Sequence, residues 1–383
     1  MPDEPTENPP PETPAAGDAG WPKSMPIFKK EISPVEPSAP PARRSFLRQI
    51  AWVGGLGGIG GLAGLAVNRL KNPQPSGAAK APLGAEFTYD VARFQTSDPA
   101  LLKFEEASRF AVGLERAGAL AVAADGVIFV GGIGGVRKFS ATGEPLATFA
   151  LDQPVTALAL RPSGELLVGQ KGRLLVLDAS GAEVAVWSGF AERFLPTSIA
   201  LGKEHVFVAD AGNRVVVKLD PTGKQLAVIG ARDLDRNLRG FVVPSPYFTV
   251  RMAPDGLLRI SNPGEHTIEA FTLDGDLETA WGKGSFAVEG FCGCCNPVNF
   301  EMFPDGSFVT CEKGLPRVKL YDSHGEFTGL VAGPEAFPEY LQAANAGTPE
   351  TLNVGIYAAV DATGRVIILD AVGGTVRLMK PKP

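Results

Sequence analysis

Short runs of alternating hydrophobic and polar residues, separated by turns that end in glycine, follow one another from about residue 117 onwards. One family of turns comprises Ala124-Asp125-Gly126, Pro162-Ser163-Gly164, Pro254-Asp255-Gly256, Pro304-Asp305-Gly306 and Ala362-Thr363-Gly364. A second family comprises Ala141-Thr142-Gly143, Ala179-Ser180-Gly181, Pro221-Thr222-Gly223, Leu273-Asp274-Gly275 and Ser323-His324-Gly325. Such turns between alternating runs are typical of β-hairpins. The pattern therefore predicts short antiparallel strands.

The turns define a repeating unit of four short strands. Its six copies are placed at residues 117–151, 155–188, 197–230, 247–282, 298–332 and 354–380. One four-stranded sheet of this length cannot bury both faces alone, so the copies are expected to pack around an axis. The sixth copy ends after its third strand, and we expect residues 86–92 to supply the missing strand and close the ring. The predicted fold class is an all-β, six-bladed β-propeller with four-stranded antiparallel blades.

The third copy contains Val208-Ala209-Asp210-Ala211-Gly212-Asn213-Arg214-Val215. This stretch resembles the D-x-x-N-x-R-[VI] motif of NHL-repeat proteins, except that Arg214 follows Asn213 directly, one residue earlier than in the motif. Trp281-Gly282 and Gly290-Phe291 are similar to sequences that those proteins carry between blades. The resemblance covers residues 85–380 and implies an NHL-type propeller. Short polar side chains in such a link satisfy turn backbone groups, so Asp210, Asn213 and Arg214 are expected to be structural.

The N-terminal part has a different composition. Of the 33 prolines, 12 lie within residues 1–42, among acidic and small residues with few aromatics. Such a segment cannot bury enough apolar surface to offset its ordering entropy, which predicts disorder. The expected organisation is a disordered region at 1–42, a signal or anchor segment at 43–71, a linker at 72–84 and the propeller at 85–383.

A paired arginine precedes an uncharged run. The sequence Ala42-Arg43-Arg44-Ser45-Phe46-Leu47-Arg48 resembles a twin-arginine (Tat) signal, whose pattern is R-R-x-F-L-K, and residues 50–67 contain seven glycines. This weak hydrophobicity favours a Tat signal over a dedicated membrane span. The alternative is an ordinary glycine-rich membrane helix. The resemblance implies export of the folded protein to the periplasm or cell envelope, with residues 50–67 anchoring it in the inner membrane if the signal is not cleaved.

The charge and the sparse histidines limit the function classes. The formal net charge of −6 argues against a nucleic-acid partner, which requires clustered basic residues. His205, His266 and His324 are too few and too dispersed for a histidine metal site, and no familiar catalytic motif is present. Whether the protein is an enzyme stays open. A monomer with a protein or glycan partner is expected, and the insertions at 231–245 and 334–352 are candidate partner-binding surfaces.

All four cysteines lie within 20 residues. Cys292, Cys294 and Cys295 occur in Phe291-Cys292-Gly293-Cys294-Cys295-Asn296-Pro297, between the fourth and fifth blades, and Cys311 follows. If Asp305-Gly306 forms a two-residue turn, Cys311 lies opposite Phe300 and shares a face with Phe300, Met302 and Val309. Glu312, Lys313 and Arg317, just beyond Cys311, are expected in a solvated loop, and the alternative is that they line the cysteine site.

Three chemistries fit this cluster. Three or four thiolates, from Cys292, Cys294, Cys295 and Cys311, suit an iron–sulfur cluster, our first choice, or copper, our second. Disulfides, for example from Cys292 or Cys294 to Cys311, or a strained bridge between the adjacent Cys294 and Cys295, suit an oxidising compartment. The third chemistry is thiol redox cycling.

Tat export favours the metal centre, because that route carries folded proteins that often hold a cofactor. The leading hypothesis is therefore an exported propeller with a thiolate metal centre, for electron transfer or metal-dependent binding. The alternatives are a non-enzymatic propeller with structural disulfides that binds a protein or glycan, and an enzyme with an acid/base site in the channel.

Overall fold

The structure is a computed structural model that describes residues 94–345 and 355–383. Their strands form six antiparallel sheets of four strands each, and one short helix, α1, spans Pro338–Asn345. The predicted all-β, six-bladed propeller is confirmed. None of the helices in this part of the chain combines the length and apolar character that a membrane crossing needs. The disordered region, signal and linker predicted for residues 1–84 lie outside the described residues.

In blades one to five the strands follow one another in the sequence from the innermost to the outermost, whereas the outermost strand of blade six is β1. Blade one comprises β2 (Glu115–Val122), β3 (Ile128–Ile133), β4 (Gly135–Phe139) and β5 (Pro145–Ala150), and blade two comprises β6 (Ala157–Leu160), β7 (Leu166–Gln170), β8 (Arg173–Leu177) and β9 (Glu183–Trp187). Blade three comprises β10 (Pro196–Leu201), β11 (Val206–Asp210), β12 (Val215–Leu219) and β13 (Gln225–Ile229), and blade four comprises β14 (Val250–Met252), β15 (Leu258–Asn262), β16 (Thr267–Phe271) and β17 (Leu277–Trp281). Blade five comprises β18 (Asn299–Met302), β19 (Phe308–Glu312), β20 (Arg317–Tyr321) and β21 (Phe327–Ala332), and blade six comprises β22 (Ile356–Val360), β23 (Val366–Asp370), β24 (Thr375–Pro381) and β1 (Phe104–Ala111).

Side-chain alternation along the strands builds an apolar cluster at every interface between neighbouring blades. In β23, Val366 and Ile368 pack toward blade five, whereas Ile367 and Leu369 pack toward blade one. Successive side chains of a strand point to opposite faces of the sheet, so one hydrophobic run serves two interfaces. Each blade therefore depends on both of its neighbours for a buried core.

An N-terminal strand closes the ring, as predicted, but it is not the predicted segment. The partner of β24 is β1, in antiparallel pairing from Phe104 opposite Pro381 to Ala111 opposite Thr375. Residues 86–92 lie outside the described residues. The prediction failed because β1 is an outermost strand whose side chains, apart from Phe104, are mostly in solvent, so it lacks hydrophobic alternation.

The β18–β19 hairpin has a different register from the predicted one. The backbone N–H of Phe303 donates to Ser307 O and that of Gly306 to Phe303 O, which makes a three-residue loop with Gly306 at φ +86°. Such loops need a residue in the left-handed region, which glycine adopts readily. Cys311 consequently lies opposite Asn299 instead of Phe300. A shift by one residue exchanges the two faces of a strand.

Candidate functional site

A buried polar side chain at the end of the second strand of a blade holds the segment that leads into that blade. In blade three, Asp210 Oδ1 accepts hydrogen bonds from the backbone N–H groups of Leu195 (2.9 Å) and Gly212 (3.0 Å). The corresponding residue of blade five is Glu312, whose Oε1 accepts a hydrogen bond from Cys292 N at 2.7 Å. Asp210 is therefore structural, as expected, and Glu312 fixes the start of the cysteine segment.

The cysteines lie on an extended loop. Leu195 directly precedes β10, whereas residues 293–298 separate Cys292 from β18; we call residues 292–298 the cysteine loop. Asn296 holds it in place: its Nδ2 donates to Cys292 O (2.5 Å) and Lys313 O (3.0 Å), and its Oδ1 accepts from Lys313 N (2.9 Å). The Asn296-Pro297 peptide bond is cis. The loop is thus tied to the β19–β20 turn.

Three buried charges lie beneath the start of the loop. Glu312 Oε2 is 2.6 Å from Arg317 Nε and 3.2 Å from Lys319 Nζ, which also donates to Gly290 O at 2.6 Å. Burial lowers the pKa of Lys319 to about 8, against the opposing effect of Glu312. The expectation of a solvated loop is wrong for Glu312 and Arg317, because alternation along β19 and β20 turns both toward the link between blades four and five. Lys313, in the turn, is half-buried.

Cys294 and Cys295 form a close thiol pair. Their Sγ atoms are 3.5 Å apart, well beyond the S–S bond length of about 2.05 Å, and both cysteines are free. Cys294 is exposed and Cys295 is 4% exposed. Burial opposes ionisation of Cys295, but hydrogen bonding to Ser245 and the nearby Lys313 ammonium outweigh it, so the pKa of Cys295 is lowered. The hydrogen bond with Cys295 raises the pKa of Cys294.

Cys292 and Cys311 occupy different surroundings. Burial, followed by the Glu312 carboxylate, raises the pKa of Cys292 to about 11. Cys311 is completely buried in the apolar cluster between blades five and six, which contains Val309 as predicted; Phe300 and Met302 belong instead to the cluster between blades four and five. Burial strongly raises the pKa of the Cys311 thiol. Because Glu312 follows Cys311 in the strand, their side chains point to opposite faces of blade five.

Among the described residues, no group of three or more His, Cys, Asp or Glu side chains is arranged to hold a metal ion. The structure brings Cys294 and Cys295 together, keeps Cys292 in the same loop and places Cys311 on the face of blade five that packs against blade six. What the pair offers chemically is two soft sulfur ligands, of which the buried one ionises first.

Of the residues that surround the thiol pair, sequence reasoning named only Lys313 as a candidate and did not identify Ser245, Tyr247 or Tyr340. Lys313 Nζ lies 3.2 Å from Ser245 Oγ and 4.6 Å from the ring centroid of Tyr247, and Tyr340 Oη accepts a hydrogen bond from Gly314 N at 3.1 Å. Ser245 belongs to the insertion at 231–245 and Tyr340 to that at 334–352. The two insertions were the sequence feature from which Ser245 and Tyr340 could have been found. The sequence analysis interpreted these insertions as partner-binding surfaces and did not connect them with the cysteines.

The fold is shared with solved structures at low sequence identity. A streptogramin B lyase structure is similar to this chain with a TM-score of 0.51 and 14% identity, over 74% of this chain and 100% of that one. The WD40 domain of Pan2 from Neurospora crassa gives a TM-score of 0.50 and 11% identity, over 75% of this chain and 98% of that one. No protein-family model and no curated protein matches the sequence. These likenesses support the propeller fold alone.

Proposed function

We propose that the protein is a metal-binding propeller in which Cys294 and Cys295 hold one soft metal ion, for electron transfer or metal-dependent binding. The observation that carries this proposal is the 3.5 Å separation of their Sγ atoms in a loop tied down by Asn296 and Glu312. Thiolate sulfur suits copper(I), zinc and iron–sulfur clusters.

The geometry favours copper(I) over an iron–sulfur cluster. A cluster held by all four cysteines requires Cys311 to leave the apolar interior between blades five and six, where its side chain is 0% exposed. Two thiolates and one monovalent ion leave one net negative charge, which the Lys313 ammonium offsets. Copper supplies reversible one-electron chemistry when bound, and the role of the chain is to fix the two sulfurs and to provide that counter-charge.

Copper content tests the proposal directly. We expect protein purified without oxygen to compete with a chromophoric copper(I) chelator for one ion per chain, and Cys294→Ser and Cys295→Ser to abolish this. The matched control is Cys311→Ala, which also removes a thiol, but one inside the apolar cluster between blades five and six, and which should retain the ion. If the protein instead contains stoichiometric iron and sulfide with visible absorption, and the Cys311 variant loses them, an iron–sulfur cluster held by four cysteines replaces the copper proposal.

The second candidate is a propeller that binds a protein or glycan, with the cysteines oxidised. It is favoured by the same pair, because two thiols 3.5 Å apart need only a small approach to form a bond between adjacent residues. Counting free thiols under denaturing conditions before reduction separates the candidates. Four thiols with bound metal support the first candidate, and two or none without metal support the second.

Export by the Tat route is part of the proposal and rests on Arg43 and Arg44 in the sequence. Replacing both by lysine keeps the charge but removes the paired guanidinium groups. We expect the wild-type chain in the periplasmic or membrane fraction and the double variant in the cytoplasm. Equal distribution of the two proteins between the fractions would exclude a Tat signal.

A further inference from the structure

The mouth of the central channel contains a cavity of about 270 Å³ next to the cysteine loop. The first residues of several inner strands line it, together with the segment that precedes β14. Its wall is mainly apolar and includes Ile133, Val155, Leu195, Phe248 and Val298. A concave, mainly apolar wall with a few polar groups is the usual form of a small-molecule site.

Arg116 places an arginine side chain at this cavity through an unusual backbone conformation. Its φ is +47°, and the pairing of β2 with β3 shifts register between Glu115 and Ala119. Non-glycine residues rarely adopt positive φ, and bulges re-aim side chains next to functional sites. No hydrogen bond or ion pair joins the exposed Arg116 guanidinium to any residue that the structure describes. The chain thus holds an unneutralised cation against an apolar cavity.

The other polar side chains of the cavity contrast with Arg116. Thr156 Oγ1 donates to Pro196 O at 2.5 Å and Thr197 Oγ1 donates to Phe248 O at 2.7 Å. Both hydroxyl hydrogens are thus used in hydrogen bonds to the next blade and are not available to a ligand. Tyr247, a lining residue that is 3% exposed, has a buried hydroxyl without a hydrogen-bond partner in the described structure. Arg116 is therefore the one cationic donor within the described lining, and the Tyr247 hydroxyl is a neutral donor beside it.

We infer that this cavity binds a small organic monocarboxylate, whose apolar body occupies the cavity and whose carboxylate pairs with Arg116. The planar guanidinium matches a carboxylate with two parallel hydrogen bonds. The apolar wall favours such a ligand over a bare inorganic anion, which gains nothing from that wall and loses its hydration. Neither Cys294 nor Cys295 lines the cavity, so the site does not require a metal.

Titration calorimetry on the full chain, with hexanoate and 3-phenylpropanoate as probes, tests the inference. We expect saturable binding of at least one carboxylate, weaker binding of the corresponding neutral amide, and no comparable binding of inorganic phosphate. Arg116→Gly removes the guanidinium while suiting the positive φ, so it should leave the melting temperature intact and weaken binding about tenfold or more.

Arg214→Gly is the matched control, because Arg214 is also exposed and has φ +60° but does not line the cavity. It should bind the probes as the wild-type protein does, and so should Cys295→Ser, whatever becomes of the metal proposal. The inference is overturned if neither carboxylate binds saturably, if the amides or phosphate bind equally well, or if Arg116→Gly and Arg214→Gly behave alike.

Discussion

Four cysteines that the sequence presents as one cluster have different acidities in the folded protein. Cys292 and Cys311 are buried thiols with raised pKa values, and the pKa of Cys294 is raised by its neighbour. Cys295 alone among them has a lowered pKa, since Lys313 and Ser245 favour its charged form. The first thiolate to form on raising the pH is therefore that of Cys295, which makes it the first sulfur of the four to become a metal ligand.

This acidity predicts the pH dependence of thiolate formation in the metal-free protein. The thiolate ultraviolet absorbance should begin to rise at a lower pH than that of an ordinary, unperturbed cysteine. Lys313→Met keeps most of the side-chain volume but removes the charge, and should move the midpoint upward by about one pH unit. Lys224→Met, at an exposed turn of blade three, should leave it unchanged. A midpoint that is insensitive to Lys313 would remove the proposed role of its charge.

Glu312 is the single carboxylate within reach of both Arg317 and Lys319 among the described residues, and all three are buried. Glu312→Gln keeps an acceptor for Cys292 N but leaves two cations without a counter-charge. Removing one partner of a buried ion pair costs about 3 kcal/mol or more, which urea unfolding at neutral pH measures. Glu326→Gln, an exposed change in the same blade, should have little effect. Equal stability of the two variants would contradict the buried-charge account.

The clustering of the cysteines could be predicted from the sequence, but the face of the strand on which each side chain lies could not. Cys311 was assigned to the face of Phe300 because a two-residue and a three-residue loop have the same glycine-ended sequence, and one residue decides the face. The burial of Glu312 and Arg317 was missed for a related reason, since charged residues beside a turn are usually solvated. Pairing across blades is set by tertiary structure, which local patterns do not encode.

A polar side chain at the end of the second strand of a blade fixes the position of the segment that leads into that blade. Asp210 accepts hydrogen bonds from Leu195 N, Gly212 N and Asn213 N through Oδ1, and from Asn213 Nδ2 through Oδ2. Asn262 serves blade four in the same way, with Oδ1 accepting from Val242 N at 2.8 Å. Aspartate, asparagine and glutamate thus perform one structural task in different blades.

Asp210→Ala tests this element. It leaves three backbone N–H groups without their acceptor in a buried position, and the expected loss of unfolding free energy is about 3 kcal/mol. Asp220→Ala, which removes an aspartate that accepts from Thr222 N and Lys224 N in an exposed turn, should cost much less because water replaces the side chain. Chemical denaturation of both variants measures the difference, and similar midpoints would show that the buried acceptor is dispensable.

At the scale of the molecule, the periodic turns predicted six blades correctly because each blade repeats the same packing problem. Ring closure by an N-terminal strand was predicted correctly, but the strand is β1 and not residues 86–92. The innermost strand of a blade is mostly buried, so its hydrophobic residues make it easy to recognise in the sequence. The outermost strand β1, in contrast, presents Glu105, Ser108 and Arg109 to solvent. The position of β1 is fixed by its pairing with β24 and by the ion pair of Glu106 with Arg377, at 2.8 Å. Arg377 is almost fully buried.

Deleting residues 104–111 from the full chain therefore tests closure. The deletion frees the edge of β24, removes Phe104 from the cluster between blades five and six and leaves Arg377 without Glu106. An unpaired strand edge pairs with other chains, so we expect a lower melting temperature and self-association in size-exclusion chromatography. The double substitution Glu105→Ala and Arg109→Ala keeps β1 but changes exposed side chains, and should remain monomeric. A monomeric deletion variant with unchanged melting temperature would mean that β1 does not hold the ring together, and that the contacts between blades suffice to keep it closed.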